Sequence, residues 1–361
     1  MPAPAGTPVR RPALRVGGLV AGIVAVLVAA VTGLALGPVG LPPLGVAAEL
    51  LNLVPGVHLH SGLTQTEAAI LVELRLPRVV LGLLVGGTLA LSGGVYQGVF
   101  RNPLADPYLL GAAAGAGLAV TAMIALRLGT GGGVDGDATS GLPLTIPLAA
   151  FVGTIGAVAL TYLLGAAGGR DRSPATLILA GVAVSAFLSA GQTYLLQRHA
   201  ESIREVYSWL LGRLATAGWH DVVLMLPYVV ITAVVVLLLR RELDVLSVGD
   251  EEAAGLGLHP ERSRYLLVAA ASLGTAAAVS VSGLIGFVGI IVPHTVRLLA
   301  GASYRAILPL SMLFGGAFLV LADLAARTVA VPAEIPIGVL TAFLGAPFFI
   351  LVLRSARRVT G

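Results

Sequence analysis

Few residues of this 361-residue chain could take part in chemistry, because only 11% are charged and none is cysteine. Thiol catalysis, disulfides and cysteine-type zinc sites are therefore excluded. The sequence has no Walker A pattern or other nucleotide motif. Its long apolar runs also lack the ionisable side chains that ion-coupled pumps place at membrane depth. If the chain takes part in active transport, the energy must come from another polypeptide.

The charged stretch 240–264 contains a candidate interaction helix that begins with three acids. Acidic side chains stabilise the first turn of a helix through its dipole, and a glycine after the last turn commonly ends one. This pattern is typical either of a solvated, acid-capped loop or of a helix that fits a cleft on a cytoplasmic ATPase. Its residues are Gly249, Asp250, Glu251, Glu252, Ala253, Gly255, Leu256 and Gly257.

Three arginines, Arg75, Arg78 and Arg327, lie at the ends of apolar runs on one predicted side of the membrane. Asp323 precedes Arg327 by four residues, which is the spacing of a helical salt bridge. Guanidinium groups form directional, charge-assisted pairs with carboxylates, which suits a docking contact with an acidic partner. Anchoring of the helix ends at the lipid headgroups is the alternative.

The histidines give weak signals for a metal or haem site. His58 and His60 are two residues apart in a polar loop, and we interpret both as surface residues. Pro293 and His294 lie near Arg297, where a single histidine is more often a packing or hydrogen-bonding residue than a ligand. We therefore predict no metal site in this chain.

The composition predicts a polytopic membrane protein, since 57% of the residues are hydrophobic and the mean hydropathy is +0.96. Runs of about 20 apolar residues can cross a bilayer as helices. The run 265–296 is long for one helix, and we read it as two helices that turn near Ser282 and Gly283. The other predicted spans are 16–36, 79–100, 108–126, 142–169, 176–197, 222–239, 306–322 and 335–353.

This count predicts an all-α integral membrane protein with ten transmembrane helices and both termini in the cytoplasm. With ten spans, 15 of the 22 positive residues, all of them arginine, lie on the side of the termini and 7 on the other. Positive residues concentrate in cytoplasmic loops, so the termini are assigned to the cytoplasm. Residues 1–12 are predicted to be a disordered cytoplasmic tail and 13–361 one permease domain, with 240–264 as its cytoplasmic loop.

Several motifs occur in one order along the chain and resemble the FecCD family of permeases. The matching stretches are RLPR (75–78), LALSG (89–93), QG (97–98), RNPLADP (101–107), IVPH (291–294), EIPIGV (334–339) and GAP (345–347). The family-motif residues singled out within them are Asn102, Pro103, Asp106, Pro107, Pro293 and His294. The resemblance implies the fold of a type II ABC importer permease, with ten helices and cytoplasmic termini, in the bacterial inner membrane.

The resemblance also implies roles for particular residues. It identifies the stretch 243–258 as the loop that couples to the ATPase, and Arg75, Arg78 and Arg327 as contacts for a substrate-binding protein. It places a cytoplasmic gate at Ser173, Pro174 and Ala175, and a short arginine-rich loop that follows the positive-inside rule is the alternative for this stretch. It assigns the pathway walls to two helices, with candidate residues Ala183, Ser185, Ser189, Gln192, Gly338, Thr341 and Gly345.

The partners implied by the resemblance are a second permease, identical or related, two ABC ATPases and an extracytoplasmic substrate-binding protein. The chain itself is expected to be a transport subunit that binds no cofactor and no nucleic acid, with ATP and Mg²⁺ on the ATPase. Ferric siderophore is the expected cargo, and haem or cobalamin is the alternative. A secondary transporter or a membrane-embedded enzyme is the rival interpretation, and either would need ionisable residues at membrane depth.

Overall fold

The computed structural model describes residues 16–126, 145–167 and 174–359, and these parts of the chain are helical with no strand. The predicted tail 1–12 and Ser173 of the predicted gate lie outside the described residues. The helices are α1 Val16–Ala35, α2 Pro43–Asn52, α3 Gln65–Ala69, α4 Leu76–Val99, α5 Ala112–Ala125, α6 Ile146–Ala167, α7 Pro174–Arg198, α8 Ile203–Leu210, α9 Trp219–Leu238, α10 Arg240–Leu246, α11 Asp250–Gly255, α12 Pro260–Ser282, α13 Val288–Ala300, α14 Tyr304–Ala326 and α15 Ile337–Val359. A π-helical segment, Ile70–Arg75, leads directly into α4, and short 3₁₀ turns flank α8.

Each predicted apolar run contains a helix, because a chain in lipid must satisfy its backbone hydrogen bonds within the segment. The long run 265–296 does divide into two helices, α12 and α13, with Gly283 at φ 71° directly after the first. Within the described residues, six helices are long and apolar enough to cross a membrane: α1, α6, α7, α9, α12 and α14. The count of ten spans and the cytoplasmic position of both termini stay predictions.

Helix α4 forms the centre of the fold and packs against α9, α12, α13 and α14. Nearly every side chain from Val85 to Val99 is buried. Two glycines on α4 allow its backbone to approach its neighbours: Gly86 faces the backbone of Gly315 on α14, and Gly93 faces the backbone of Gly289 on α13. Close packing of small residues is the usual way in which membrane helices associate.

Polar side chains on α4 also connect it to the neighbouring helices. Ser92 Oγ donates to the carbonyl oxygen of Ala271 at 3.0 Å, and the hydroxyls of Tyr96 and Ser272 are 2.7 Å apart. Both pairs join α4 to α12 in the core. Because these buried groups pair with one another across the two helices, the contacts specify the register of α4 against α12.

The contact between Gly93 and Gly289 gives a first prediction. A Cβ atom at position 93 would overlap the carbonyl of Gly289, and backbone cannot move aside as a flexible side chain can. Gly93→Ala should therefore lower the free energy of unfolding by about 1–3 kcal/mol, the usual cost of overpacking. Thermal unfolding in detergent measures it. Gly156→Ala is the matched control, because nothing lies within 4 Å of its Cβ position; equal losses in both variants would contradict the packing argument.

The predicted orientation can be tested with single cysteines, because the chain has no native cysteine to give background labelling. Thr66 and Ala254 are both exposed and helical, in α3 and α11. A cysteine at Thr66 should react with an impermeant thiol reagent added to intact cells, and one at Ala254 only after permeabilisation. The reverse pattern would overturn the orientation, and labelling at both positions in intact cells would overturn the odd number of spans predicted between them.

Candidate functional site

Arg78 at the start of α4 is clamped by two carboxylates. Its Nε and Nη2 atoms lie 2.9 Å from the two oxygens of Asp323 on α14. Its Nη1 and Nη2 atoms lie 3.2 and 2.9 Å from the oxygens of Glu334, just before α15. Such fork-to-fork pairs are both strong and directional. The Asp323 side chain is 6% exposed and that of Glu334 is 38% exposed, so one carboxylate is internal and the other is open to solvent.

Arg75 and Arg327 stabilise the C-terminal end of α1. Arg75 Nη1 donates to the carbonyls of Leu34 at 2.8 Å and Ala35 at 3.2 Å. Arg327 Nη2 donates to the carbonyl of Gly33. The last carbonyls of a helix have no partner in the helix and carry its negative dipole end, so two guanidinium groups here neutralise it.

The three arginines predicted to dock a binding protein therefore have partners inside the chain. Arg75 is 6% exposed and Arg327 is 3% exposed, with Asp323 at 3.8 Å from Arg327 Nε as the predicted helical pair. Only Arg78 has a neighbouring carboxylate at the surface. Their structural role in joining α1, α4 and α14 was missed, because no local pattern shows it. Docking to a binding protein stays a prediction for all three.

The predicted interaction helix is present as α11, which begins at Asp250 and ends at Gly255. Asp250 is partly exposed, but it holds the helix in place: its two carboxylate oxygens each lie 2.8 Å from Arg264 Nη2 on α12, and it also pairs with Arg101 after α4. Ala253 is buried underneath. The exposed residues of the helix and its end are Glu251, Glu252, Ala254, Gly255, Leu256 and Gly257.

A second anchor holds the other end of this loop. Asp244 Oδ2 accepts a hydrogen bond from Ser303 Oγ at 2.9 Å and lies 3.4 Å from Arg305 Nε. Nearby, Arg297 Nη2 donates to the Tyr304 hydroxyl at 2.6 Å. The contacts of Asp244 and Asp250 therefore fix α10 and α11. Leu256, directly after α11, is 75% exposed. A rigid, acidic surface with an apolar tip is suited to a protein partner; coupling to an ATPase stays a prediction.

The RNPLADP turn between α4 and α5 is held by its own polar side chains. Asn102 Oδ1 accepts from the Leu104 amide at 3.0 Å, and Asp106 Oδ1 accepts from the Tyr108 amide at 2.7 Å. Burial raises the pKa of Asp106 to about 6, although the Tyr108 amide opposes the shift. Pro103 is exposed, whereas Pro107 is buried against Gly289.

The turn also contacts the connection between α12 and α13. The Tyr108 hydroxyl donates to the carbonyl of Ile285 at 3.0 Å and accepts from its amide at 3.1 Å. Pro293 is buried on α13, and the ring of His294 packs edge-on against Phe348 at a centroid distance of 5.9 Å. This contact agrees with a packing role for His294.

The candidate wall residues divide into exposed and buried positions. On α7, Ala183 and Ser189 are exposed, and Ser185 and Gln192 are half-buried. On α15, Gly338 is half-buried, but two other candidates face inward: Thr341 Oγ1 donates to the carbonyl of Gly338, and Gly345 lies against the Phe287 ring. The exposed face of α15 is instead formed by Ala342, Phe343 and Ala346. A pathway along either helix stays a prediction.

The structure adds little to the predicted gate and metal assignments. Pro174 is the first residue of α7, and Ala175 next to it is exposed. His58 and His60 are exposed. No group of three potential metal ligands occurs in the part of the chain that the structure describes.

The comparison with protein-family models decides the identity of this fold. Residues 24–355 match the model of the FecCD transport family. The chain belongs to the FecCD family. It is similar to a solved structure described as an inward-facing conformation of a putative metal-chelate type ABC transporter, with a TM-score of 0.78 and 29% identity over 93% of this chain and 98% of the other.

Curated FecCD relatives cover most of the chain and have different cargoes in their names. A cobalamin import system permease protein from Halobacterium salinarum is 43% identical over 86% of this chain and 80% of its own length. An Fe(3+)-citrate import permease from Bacillus subtilis is 34% identical over 91% and 92%. A hemin transport permease from Yersinia pestis is 37% identical over 80% and 84%.

These similarities confirm the permease fold and the class of the protein. The chain is a multi-pass inner-membrane permease of an ABC transport system, a transport subunit of the kind that works with an ATPase and a substrate-binding protein.

Proposed function

We propose that this FecCD permease forms the membrane pathway of a type II ABC importer for a ferric siderophore or similar iron chelate. The observation that carries the proposal is the match to the FecCD model over most of the chain, together with an iron-citrate permease among its relatives. Cobalamin is the second candidate, favoured by the 43% identity to the Halobacterium permease. Haem is the third, through the Yersinia relative.

The exposed faces of α7 and α15 support a pathway between two permease copies. Leu179 and Phe187 on α7 are 71% and 75% exposed, and Phe343 on α15 is 71% exposed. Exposed apolar faces this large need lipid or a second subunit to cover them. A homodimer or a heterodimer with a related permease would place small and apolar side chains along a shared conduit, which offers a large chelate few binding groups.

Two ATPases would dock at the α10–α11 loop, supplying ATP and Mg²⁺, and one binding protein at the opposite face. The exposed acids of α11, Glu251 and Glu252, and the apolar Leu256 form the proposed ATPase contact. Arg78 is the best placed of the three arginines for the binding protein, since the Glu334 carboxylate next to it is open to solvent. A secondary transporter is disfavoured, because the buried Asp323 is already paired with Arg78.

Uptake into vesicles tests the proposal. The permease is reconstituted with its ATPase and binding protein, and isotope-labelled ferric siderophore, haem and cobalamin are supplied separately. We expect ATP-dependent uptake of the ferric siderophore, and none without the ATPase. Uptake of cobalamin alone would replace the first candidate with the second. Uptake that continues without the ATPase would contradict the ABC importer assignment.

A further inference from the structure

The short helix α2 exposes only apolar side chains. Its exposed residues are Pro43, Leu44, Ala47 and Leu51, and Leu44 is 86% exposed. The last three follow the spacing i, i+3 and i+7, so they form one face of the helix. The opposite face is apolar as well, because Val46 is buried in a cluster with side chains of α1, α4 and α14. A helix that is apolar on all sides belongs in a protein core or in a membrane.

The loop after α2 continues this apolar surface and is closed by two hydrogen bonds. Asn52 Nδ2 donates to the carbonyl of Leu59 at 3.0 Å, and the Leu59 amide donates to Asn52 Oδ1 at 2.7 Å. Leu53 and Val54, inside the closed loop, are 53% and 51% exposed. The polar atoms of Asn52 are therefore used to hold a loop that presents apolar side chains outward.

The connection from α1 to α3 carries almost no charge. Residues 36–64 contain one acidic residue, Glu49, which is half-buried, and no arginine or lysine. Helix α8, another short helix outside the long apolar runs, instead exposes Arg204, Glu205 and Ser208, as a helix in water does. The difference indicates that α8 faces water and that α2 faces an apolar medium.

Hydrogen bonds place α2 at the end of a membrane helix. The Leu41 amide, two residues before α2, donates to the carbonyl of Ala35, the last residue of α1, at 3.0 Å. Arg75 donates to the carbonyl of Val39 in the same connection. Helix α1 is long and apolar enough to cross a membrane, and its face of exposed valine and leucine side chains continues through Leu36. Helix α2 therefore begins where α1 leaves the membrane.

We infer that α2 and the loop 53–59 lie in the lipid leaflet at the C-terminal end of α1. Leu44 and Leu51 enter the boundary between headgroups and acyl chains, while Val46 stays packed on the protein. Interfacial helices bury their apolar face about 5–10 Å deep in this boundary. The lipid covers an apolar surface that water would otherwise contact. It also holds the connection that accepts the hydrogen bond from Arg75, whichever cargo the permease moves.

Quenching of a fluorescent probe in the full-length permease tests the inference. Leu44→Cys, Leu51→Cys and Thr66→Cys are each labelled with the same environment-sensitive dye, since the chain has no native cysteine. The labelled proteins are placed in phosphatidylcholine nanodiscs. At positions 44 and 51, a doxyl group on the lipid chain near the headgroup should quench about twofold more than iodide in water, because the probes lie below the headgroups. At position 66, exposed on α3, iodide should be the stronger quencher.

The Thr66→Cys variant is the matched control, because it carries the same dye on a short helix that exposes polar residues. Equal quenching at all three positions would overturn the inference, and so would access of iodide to positions 44 and 51. If the binding protein then blocked that access, the face would be a docking surface for it. Protection from both quenchers would assign the face to a second copy of the chain instead. Val54→Cys replaces Leu51→Cys if that variant does not keep the wild-type unfolding temperature.

Discussion

Replacing Arg78 with Ala is expected to lower the free energy of unfolding of this permease by about 3–5 kcal/mol, the usual cost of breaking a buried ion pair. The change leaves the Asp323 carboxylate, in a residue only 4% exposed, without the two guanidinium contacts at 2.9 Å. The main cost is a buried carboxylate that keeps only its longer contact with Arg327, at 3.8 Å. Thermal unfolding in detergent, followed by circular dichroism and size exclusion, measures the loss.

Two control variants separate this buried pair from the surface pair. The double variant Arg78→Met with Asp323→Leu should be more stable than Arg78→Ala, because it removes the buried carboxylate together with Arg78, and Arg327 keeps its hydrogen bond to the carbonyl of Gly33. Glu334→Gln should cost no more than about 1 kcal/mol, because this carboxylate is largely solvated. A wild-type unfolding temperature for Arg78→Ala would show that the Arg78–Asp323 pair does not hold α4 to α14.

The contacts of these arginines inside the chain also change how docking of the binding protein has to be tested. Reversing the charge of Arg75, Arg78 and Arg327 together would break the contacts that join α1 to α4 and α14. A slower association of such a variant would then reflect unfolding as well as lost docking. Association rates are informative only for single variants that keep the wild-type unfolding temperature.

Replacing Asp250 with Arg is expected to abolish most ATP-driven uptake, with a loss of more than about tenfold. The carboxylate of Asp250 holds Arg264 and Arg101, and the new guanidinium would face both of them without a counter-charge. The like charges would repel one another, and the buried Arg264 would lose its carboxylate partner, so α11 would leave its position. Uptake in vesicles and co-purification of the ATPase measure the effect.

The exposed acids of the same helix provide the matched control. Glu251→Gln with Glu252→Gln removes two surface charges and keeps the Asp250 anchor. If α11 contacts the ATPase through these acids, this variant should co-purify less ATPase while its unfolding temperature is unchanged. Normal uptake by Asp250→Arg would contradict the anchoring role, and normal co-purification by the control variant would place the ATPase contact on other residues.

The apolar helices of this protein were predictable because each one is encoded locally. An apolar run in lipid must satisfy its own backbone, so its length and composition already define a helix. The difficult run 265–296 was divided correctly by the arginine count, and the break falls at Gly283, where the positive φ favours glycine. The start of α11 at Asp250 was also predicted from the sequence, by the three acidic residues that follow Gly249.

The wall residues show where local patterns stop being sufficient. Ala183 and Ser189 were placed on an exposed face of α7, but Thr341 and Gly345 lie on the inner face of α15. Residues 337–353 of α15 include no charged side chain, so the sequence does not distinguish the face that contacts Phe287 from the face that is exposed. In lipid both faces are apolar, and hydropathy cannot tell them apart.

The sequence by itself determined the membrane class, the positions of the apolar helices, the family and the acidic start of α11, because all of these follow from short stretches of chain. Only the tertiary structure decided the partners of the charged groups. Arg78 lies 245 residues from Asp323 and 256 residues from Glu334, and Arg75 caps a helix that ends about 40 residues before it. Such pairs form when packed helices bring distant side chains within hydrogen-bond reach, and no local propensity encodes that geometry.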